Sequence, residues 1–338
     1  MKAVGYQTPG TIDREDALED ITLPRPTPTG RDLLVAVRAV SVNPVDTKVR
    51  RSAAPEPGQK KVLGWDAVGE VVAVGPDVTG FRPGEQVYYA GSITRSGANA
   101  EFHLVDERIT GHKPASLSDT QAAALPLTAI TAWEVLFDRL DVRRPVPGAA
   151  NAVLVIGGAG GVGSITIQLL QALTDLTVIA TASRPETEAW VRELGAHHVI
   201  DHRKPLAEQV AALGIGAPAF VFSTTETETH LTEIAALIAV QGRLALIDDL
   251  KAPTDISPFK RKSVSIHWEM MFTRSIFGTA DMPEQGRILD AVAKLADDGK
   301  IRSTLTEVLK PISAANLITA HRLLESGTAR GKIVLEGF

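Results

Sequence analysis

VLVIGGAGGVGSITIQLL, residues 153–170, carries an apolar run into three glycines spaced G-x-G-x-x-G and out into an amphipathic, helix-like stretch. Glycines gather in many turns, so this spacing gains meaning only from a strand before it and a helix after it. Both are predicted here. Gly158 is expected to permit the tight turn, Gly160 to let the backbone approach a pyrophosphate, and Gly163 to let helix and strand pack closely. The N–H groups of Gly161, Val162, Gly163 and Ser164 then face phosphate oxygens.

Downstream, five more short apolar runs follow the first: TVIATA, HHVID, AFVFST, GRLALID and SVSIHW. Helical patterns such as ETEAWVRELG and THLTEIAALIAVQG separate them, and this alternation predicts a doubly wound parallel sheet. Upstream, glycine and proline cut residues 1 to about 125 into β-type runs, LLVAVRAVSV, AVGEVVAVG, EQVYYAG and AEFHLV, predicting an all-β, barrel-like unit. PRPTPTG reads as a connecting loop and RSAAPEPGQ as irregular. Ser118 and Gln121 have the spacing of a capping box, and Pro126 breaks the helix that the box opens. PEQGRILDAVAKLADDGK reads as a late helix, and KIVLEGF as a strand returning to the first unit. The expected division is 1–126 with 268–338 for the barrel domain, and 127–267 for the dinucleotide domain.

An adenosine ribose needs a reader about 20 residues beyond the last glycine, at the end of the second strand. That count lands on Ser183 in ATASRPE, where no Asp or Glu is present to accept from a 2′-hydroxyl. Ser183 and Arg184 offer a hydroxyl and a guanidinium, which suit a 2′-phosphate and favour NADPH over NADH.

The 338 residues are 44% hydrophobic and 22% charged, enough to bury a core of about two domains. A net charge of −5 argues against a nonspecific nucleic-acid surface, and the basic FKRK at 259–262 reads as a solvated loop. There is no cysteine, which excludes disulfides, thiolate nucleophiles, iron–sulfur clusters and Cys-ligated zinc. The eight histidines are scattered, and the pair at 197 and 198 has no partner at H-x-x-x-H spacing. MKAVGYQTPG lacks a basic region leading into an apolar run, and no apolar stretch approaches about 18 residues. A cytoplasmic location without a membrane partner is expected.

SVNPVDTKVR, LGWDAVGEVVAVGPDVTGFRPGEQVYY, LPLTAITAWEVLF and GGAGGVG together resemble the medium-chain dehydrogenase/reductase superfamily over nearly the whole chain, specifically its zinc-independent quinone oxidoreductase branch. ISPFKRKSVSIHWEMMFTRSIF is similar to a subgroup often labelled zinc-type alcohol dehydrogenase-like. The resemblance implies a GroES-like barrel with a Rossmann domain. Zinc members hold their metal by Cys, His and Cys at the positions matching Asn43, Trp65 and Leu127, none of which is a competent zinc ligand.

The same resemblance places Asn43 and Asp46 beside the nicotinamide, with Asn43 as a donor to the substrate oxygen and Asp46 fixing the loop. It places Thr131 against the nicotinamide ribose or carboxamide, and His202 where relatives often put a tyrosine against the 2′-phosphate. Ser223 and Thr224, in VFSTT, lie on the strand end that passes under the nicotinamide. Lys48 stands where many relatives have a tyrosine, as a candidate proton donor or electrostatic clamp. Trp65, Tyr88, Trp268 and Phe272 are candidate linings of an apolar acceptor pocket.

Without a Lewis acid, hydride transfer suits acceptors whose developing charge delocalises, such as quinones or α,β-unsaturated ketones. The sequence leaves open a reductase specific for an enal or enoyl thioester, and a noncatalytic NADPH-binding protein with a structural or regulatory role. The family and the apolar GRLALIDD strand suggest a homodimer.

Overall fold

The glycine and proline breaks of the first third produce short strands: β1 (Lys2–Tyr6), β2 (Glu19–Thr22), β3 (Asp32–Ser41), β4 (Lys61–Val62), β5 (Ala67–Val74), β6 (Gln86–Tyr89), β7 (Phe102–Asp106) and β8 (Thr110–His112). Helix α1 (Pro44–Ser52) interrupts them after β3, so this unit is not all-β as expected. In the computed structural model, which describes residues 1–338, α2 (Asp119–Ala123) opens on the Ser118–Gln121 capping box, and α3 (Pro126–Trp133) restarts at the proline. Ser118 N donates to Gln121 Oε1 at 3.0 Å, and Gln121 N donates back to Ser118 Oγ at 3.2 Å.

The central part alternates strand and helix: β9 (Ala150–Ile156), α4 (Gly161–Leu173), β10 (Thr177–Thr181), α5 (Pro185–Glu193), β11 (His198–Ile200), α6 (Leu206–Ala212), β12 (Pro218–Ser223), α7 (Thr227–Leu237), β13 (Arg243–Leu246), α8 (Ser257–Lys260) and β14 (Ser265–Trp268). The six strands form one parallel sheet in the order β11-β10-β9-β12-β13-β14. The order reverses between β9 and β12, and the C-terminal ends of the strands at such a switch point are where an open α/β sheet binds ligands. Strand β9 is buried on both faces, which is why it reads as an unbroken apolar run. Ala152, Leu154 and Ile156 join Leu206, Val210, Leu231 and Ile234 of α6 and α7 in one apolar cluster. Each leucine, isoleucine or valine among them contributes about 1.5–3 kcal/mol through burial.

Helices α9 (Thr273–Phe277), α10 (Glu284–Asp297) and α11 (Ala314–Glu325), with strands β15 (Leu305–Leu309) and β16 (Lys332–Glu336), complete the chain. They join the first part, giving two compact units: Met1–Ile130 with Phe272–Phe338, and Thr131–Met271. Both crossings lie four residues beyond the expected ones. The first unit holds a three-stranded sheet, β2-β1-β4, and a seven-stranded sheet in which β7 and the run β15-β16-β3-β5-β6-β8 share β3. Strand β16 pairs antiparallel with β3, Val334 opposite Ser41 and Leu335 opposite Val40. Continued past Val42, whose N–H donates to Ile333 O at 3.2 Å, that register sets Lys332 opposite Asn43.

FKRK is more structural than a solvated loop. Phe259 is in the core, and Lys262 Nζ donates to the carbonyls of Ala236 and Ile238 at 2.7 Å each, at the C-terminal end of α7.

Candidate functional site

In the second unit the tight turn after β9 falls on Gly157, whose φ of +79° only glycine adopts readily. Gly158 was expected to make that turn. Its role is instead close approach, since a Cβ there would lie 2.9 Å from Ala180 Cβ on β10. A Cβ on Gly163 would lie 2.3 Å from Gly157 O, so helix α4 is packed directly onto the loop. Gly160 is different: at φ −71°, its Cβ would meet nothing nearer than Gly157 O at 3.5 Å. The fold itself does not require glycine at that position, and the open space is what a ligand approaching the backbone needs.

The loop is pinned on both sides. Gly157 N donates to Thr181 Oγ1 at 2.9 Å, while Thr224 N and Oγ1 donate to Ile156 O at 3.1 and 2.9 Å. Gly161, Val162 and Gly163 open α4, so their N–H groups lie at the positive helix end, where the first turn has no intrahelical partner. The N–H of Ser164, expected to face phosphate with them, is already taken within the loop, donating to Gly160 O at 2.9 Å; its hydroxyl donates to Ala159 O at 3.3 Å and accepts from Trp190 Nε1 at 2.8 Å. Ser223 is fully buried, and its Oγ accepts from Thr227 Oγ1 at 2.7 Å, whereas Thr224 is half-buried at the strand end. Thr131 is buried in α3.

At the end of β10, Ser183 is half-buried and Arg184 precedes the first turn of α5. Arg184 Nε pairs with Glu186 Oε1 at 2.8 Å. His202, just past β11, has a buried Nδ1 with no hydrogen-bond partner. Burial holds this imidazole below its ordinary pKa; Asp201 opposes the shift and the charges of Arg203 and Arg184 add to it. Arg203 is itself paired with Asp201, its Nη2 2.9 Å from Asp201 Oδ2.

In the first unit, Asn43 and Asp46 sit at the buried start of α1. Asp46 Oδ2 accepts from Asn43 N at 2.7 Å and Oδ1 accepts from Gly64 N at 3.0 Å. Burial pushes Asp46 up to about 7 against the pull of those N–H groups and of Lys332. The Asn43 side chain is not presented outward as a donor, as the sequence suggested. Its Nδ2 donates to Asp66 Oδ2 at 2.8 Å, and its Oδ1 accepts from Lys332 Nζ. Lys332 Nζ also donates to Val42 O at 2.8 Å and Asp66 Oδ2 at 3.1 Å, and Asp66 Oδ1 accepts from Leu127 N at 2.7 Å. Asp66 is held above the usual carboxylate range, chiefly by burial.

Lys48 lies on the exposed side of α1, one turn beyond Pro44. Trp65 and Phe272 are brought together, edge to face with ring centres 6.4 Å apart, but both are buried, and Trp65 Nε1 donates to Ser92 O at 3.1 Å. Tyr88 is likewise core, its hydroxyl donating to Leu289 O at 2.5 Å, while Trp268 is exposed on the edge strand of the parallel sheet.

The sequence reading missed Asp66, Lys332, Thr181 and Glu186. An aspartate just before one apolar strand and a lysine opening another, in GWDAVG and GKIVLEG, are the signals that mark the first two.

A dinucleotide cradle at a switch point and a mostly β unit define a nucleotide-dependent dehydrogenase or reductase. The chain belongs to the medium-chain dehydrogenase/reductase superfamily. Residues 29–117 match the alcohol dehydrogenase GroES-like domain and residues 194–335 a domain described as zinc-binding dehydrogenase. A zinc-type alcohol dehydrogenase-like protein of Staphylococcus aureus strain MSSA476 is 39% identical over 336 residues, covering 99% of both chains. Among solved structures, a candidate zinc-dependent alcohol dehydrogenase from Rhizobium etli CFN 42 is 67% identical, with a TM-score of 0.98, covering 100% of this chain and 98% of that one. The quinone oxidoreductase from Coxiella burnetii is 26% identical at a TM-score of 0.81, covering 100% of this chain and 99% of that one.

The zinc in those descriptions does not fit this chain. It has no cysteine, and nowhere does it gather three or more His, Cys, Asp or Glu side chains that could hold a metal. Asn43, Trp65 and Leu127 offer an amide already spent on Asp66 and Lys332, an indole and an alkyl group. The chain therefore stands in the zinc-independent branch. No helix is long and apolar enough to cross a membrane.

Proposed function

We propose that the protein is a zinc-independent, NADPH-dependent reductase that transfers hydride to quinones or α,β-unsaturated carbonyl compounds. The observation that carries this reading is a dinucleotide cradle in a chain whose donor set does not fit the metal of its alcohol-oxidising relatives. Lacking a Lewis acid for a localised alkoxide, such a protein suits acceptors that spread the incoming charge into an enolate or hydroquinone anion. The likeness to the Coxiella quinone oxidoreductase supports the same acceptor class.

Gly160, Gly161, Val162 and Gly163 are assigned to the pyrophosphate, with Gly158 supporting the loop. Ser183, Arg184 and His202 are assigned to the 2′-phosphate. Thr131, Ser223 and Thr224 are assigned to the nicotinamide half, Thr224 through its position at the strand end and Ser223 through the strand beneath. In the first unit, Asn43 and Asp46 anchor the turn, Lys48 supplies the exposed cation for the acceptor anion, and Trp65 and Phe272 form the apolar wall behind it. NADPH, when bound, supplies the hydride; the chain supplies orientation and charge.

The test is NADPH oxidation against a panel of quinones, enones, enoyl thioesters and simple alcohols, with and without prior chelation. Chelation-resistant turnover on quinones or enones, far above that on ethanol or benzyl alcohol, is expected. Activity lost to EDTA and restored by zinc would overturn the reading, as would tight NADPH binding without turnover on any acceptor. Turnover confined to enoyl thioesters would select the narrower reductase.

A further inference from the structure

Three segments far apart in sequence converge on one buried ammonium in the first unit. They are the Val42–Asp46 turn that starts α1, the Gly64–Asp66 segment that enters β5, and the start of α3 at Leu127. These segments contain the positions, Asn43, Trp65 and Leu127, where the ligand chemistry fails to fit a metal. Lys332 Nζ makes three hydrogen bonds, to Val42 O, Asn43 Oδ1 and Asp66 Oδ2, and Asp66 uses its other oxygen to hold Leu127 N. All of these side chains are buried, Lys332 with 3% of its surface exposed and Asp66 with none.

Stability alone is a poor account of this arrangement. A buried ion pair stabilises a fold no better than well-packed apolar side chains of the same volume. What it adds is direction. An ammonium only donates, so Asn43 must turn its Oδ1 toward Lys332 and its Nδ2 toward Asp66, leaving no flipped alternative. The β16–β3 register sets Lys332 opposite Asn43, so the C-terminal strand fixes the turn from the far end of the chain.

We propose that Lys332 is a positioning residue, which with Asp66 sets the geometry of the Val42–Asp46 turn and so of the helix carrying Lys48. It touches neither cofactor nor acceptor and acts through the turn. The consequence for turnover rests on the reductase reading; the consequence for the three segments does not.

The test compares wild type with Lys332→Met/Asp66→Asn, which removes both charges without leaving either unpaired, and with the near-isosteric single variant Asp66→Asn. Both are read by amide hydrogen exchange, NADPH titration and steady-state reduction of the best acceptor. Faster exchange is expected at Asn43, Gly64 and Leu127 together, with β9 and α4 still protected. NADPH affinity should stay within about twofold of wild type, while kcat falls roughly 10- to 100-fold, the scale of an ångström-level misplacement. Asp66→Asn leaves the Lys332 ammonium buried without its carboxylate and should show the same pattern at least as strongly; Lys332→Arg, which keeps the charge and changes only the donor geometry, carries the test if neither variant folds.

Unchanged exchange at the three segments, or a uniform rise across the chain, would overturn the proposal by making the network inert or merely stabilising. Localised exchange with kcat intact would also overturn it. If the wild type reduces no acceptor, the reductase reading falls, while the exchange pattern still decides whether Lys332 positions the turn.

Discussion

Replacing Gly160 with alanine separates what the fold needs from what the ligand needs. The new Cβ would meet only Gly157 O, at an ordinary 3.5 Å, and φ −71° with ψ 175° is open to alanine. Alanine reduces the freedom of the unfolded chain, worth about 0.4–1 kcal/mol, and gives back roughly 0.5–1 kcal/mol because it is a poorer helix N-cap than glycine. The net change in stability is within about 1 kcal/mol, or roughly 2–4 °C in Tm. The methyl nevertheless enters the space through which a pyrophosphate would reach the first N–H groups of α4. Loss of one charge-assisted hydrogen bond costs about 1.5–3 kcal/mol, roughly 10- to 150-fold in the Kd for NADPH. Calorimetric titration with NADPH, alongside thermal unfolding, measures both numbers. Adenosine 2′-monophosphate, which has no pyrophosphate, should bind mutant and wild type alike. Gly163→Ala is the contrasting case: its Cβ would press on Gly157 O at 2.3 Å and Gly158 Cα at 2.7 Å, and it should unfold several degrees earlier. A folded Gly160→Ala protein that binds NADPH as wild type does would refute the assignment of this loop to the pyrophosphate.

Arg184→Ala should weaken NADPH roughly 10- to 150-fold while leaving NADH nearly unchanged. The lower end is favoured because Glu186 already holds Nε and must yield it; equal losses for both cofactors would mean that Arg184 supports the loop and reads no phosphate. In the first unit, burial and the Arg50 guanidinium push His321 down to about 3, with Arg50 Nε donating to its Nδ1 at 3.2 Å. A depressed folded value contributes stability that is complete above the unfolded pKa of about 6.5 and is lost as pH falls toward the folded one. Urea titrations should show His321 costing up to about 1.4 kcal/mol per pH unit as acidity increases below that point, and His321→Asn, which keeps an acceptor for Arg50, should flatten the slope; an unaltered slope would count against it.

The parallel sheet was readable because its signals are local. Each of its six strands is an apolar run of a few residues, and the glycine loop joins strand to helix within one continuous stretch. Helix α1 was harder, since NPVDTKVRRS has a proline at its start and few apolar residues, and its stability comes from tertiary contacts. Arg50 is buried against Gly10 O, His321 and Glu325, partners up to 275 residues away that no local period reveals. The turn after β9 was misplaced by one residue because the G-x-G-x-x-G spacing records which glycines approach neighbours or ligands. The left-handed backbone belongs to Gly157, one place before the motif.

The same distinction governs the acceptor side. Asn43 was recognisable from its neighbours in SVNPVD, but the direction of its amide depends on Asp66 and on Lys332, 289 residues further along. A sequence records that a polar residue lies at the head of a helix; it does not record that an antiparallel register brings a lysine across from it. Lys332 opens a strand of three apolar residues and a glutamate, where a side chain facing into the sheet must either be apolar or find partners. That requirement is visible in the sequence, and the identity of the partners is not. For this reason the exposed Lys48 and the buried Asn43, five residues apart on one element, have different chemical roles: one presents a charge to the surface, and the other is fixed from beneath by charges that never reach it.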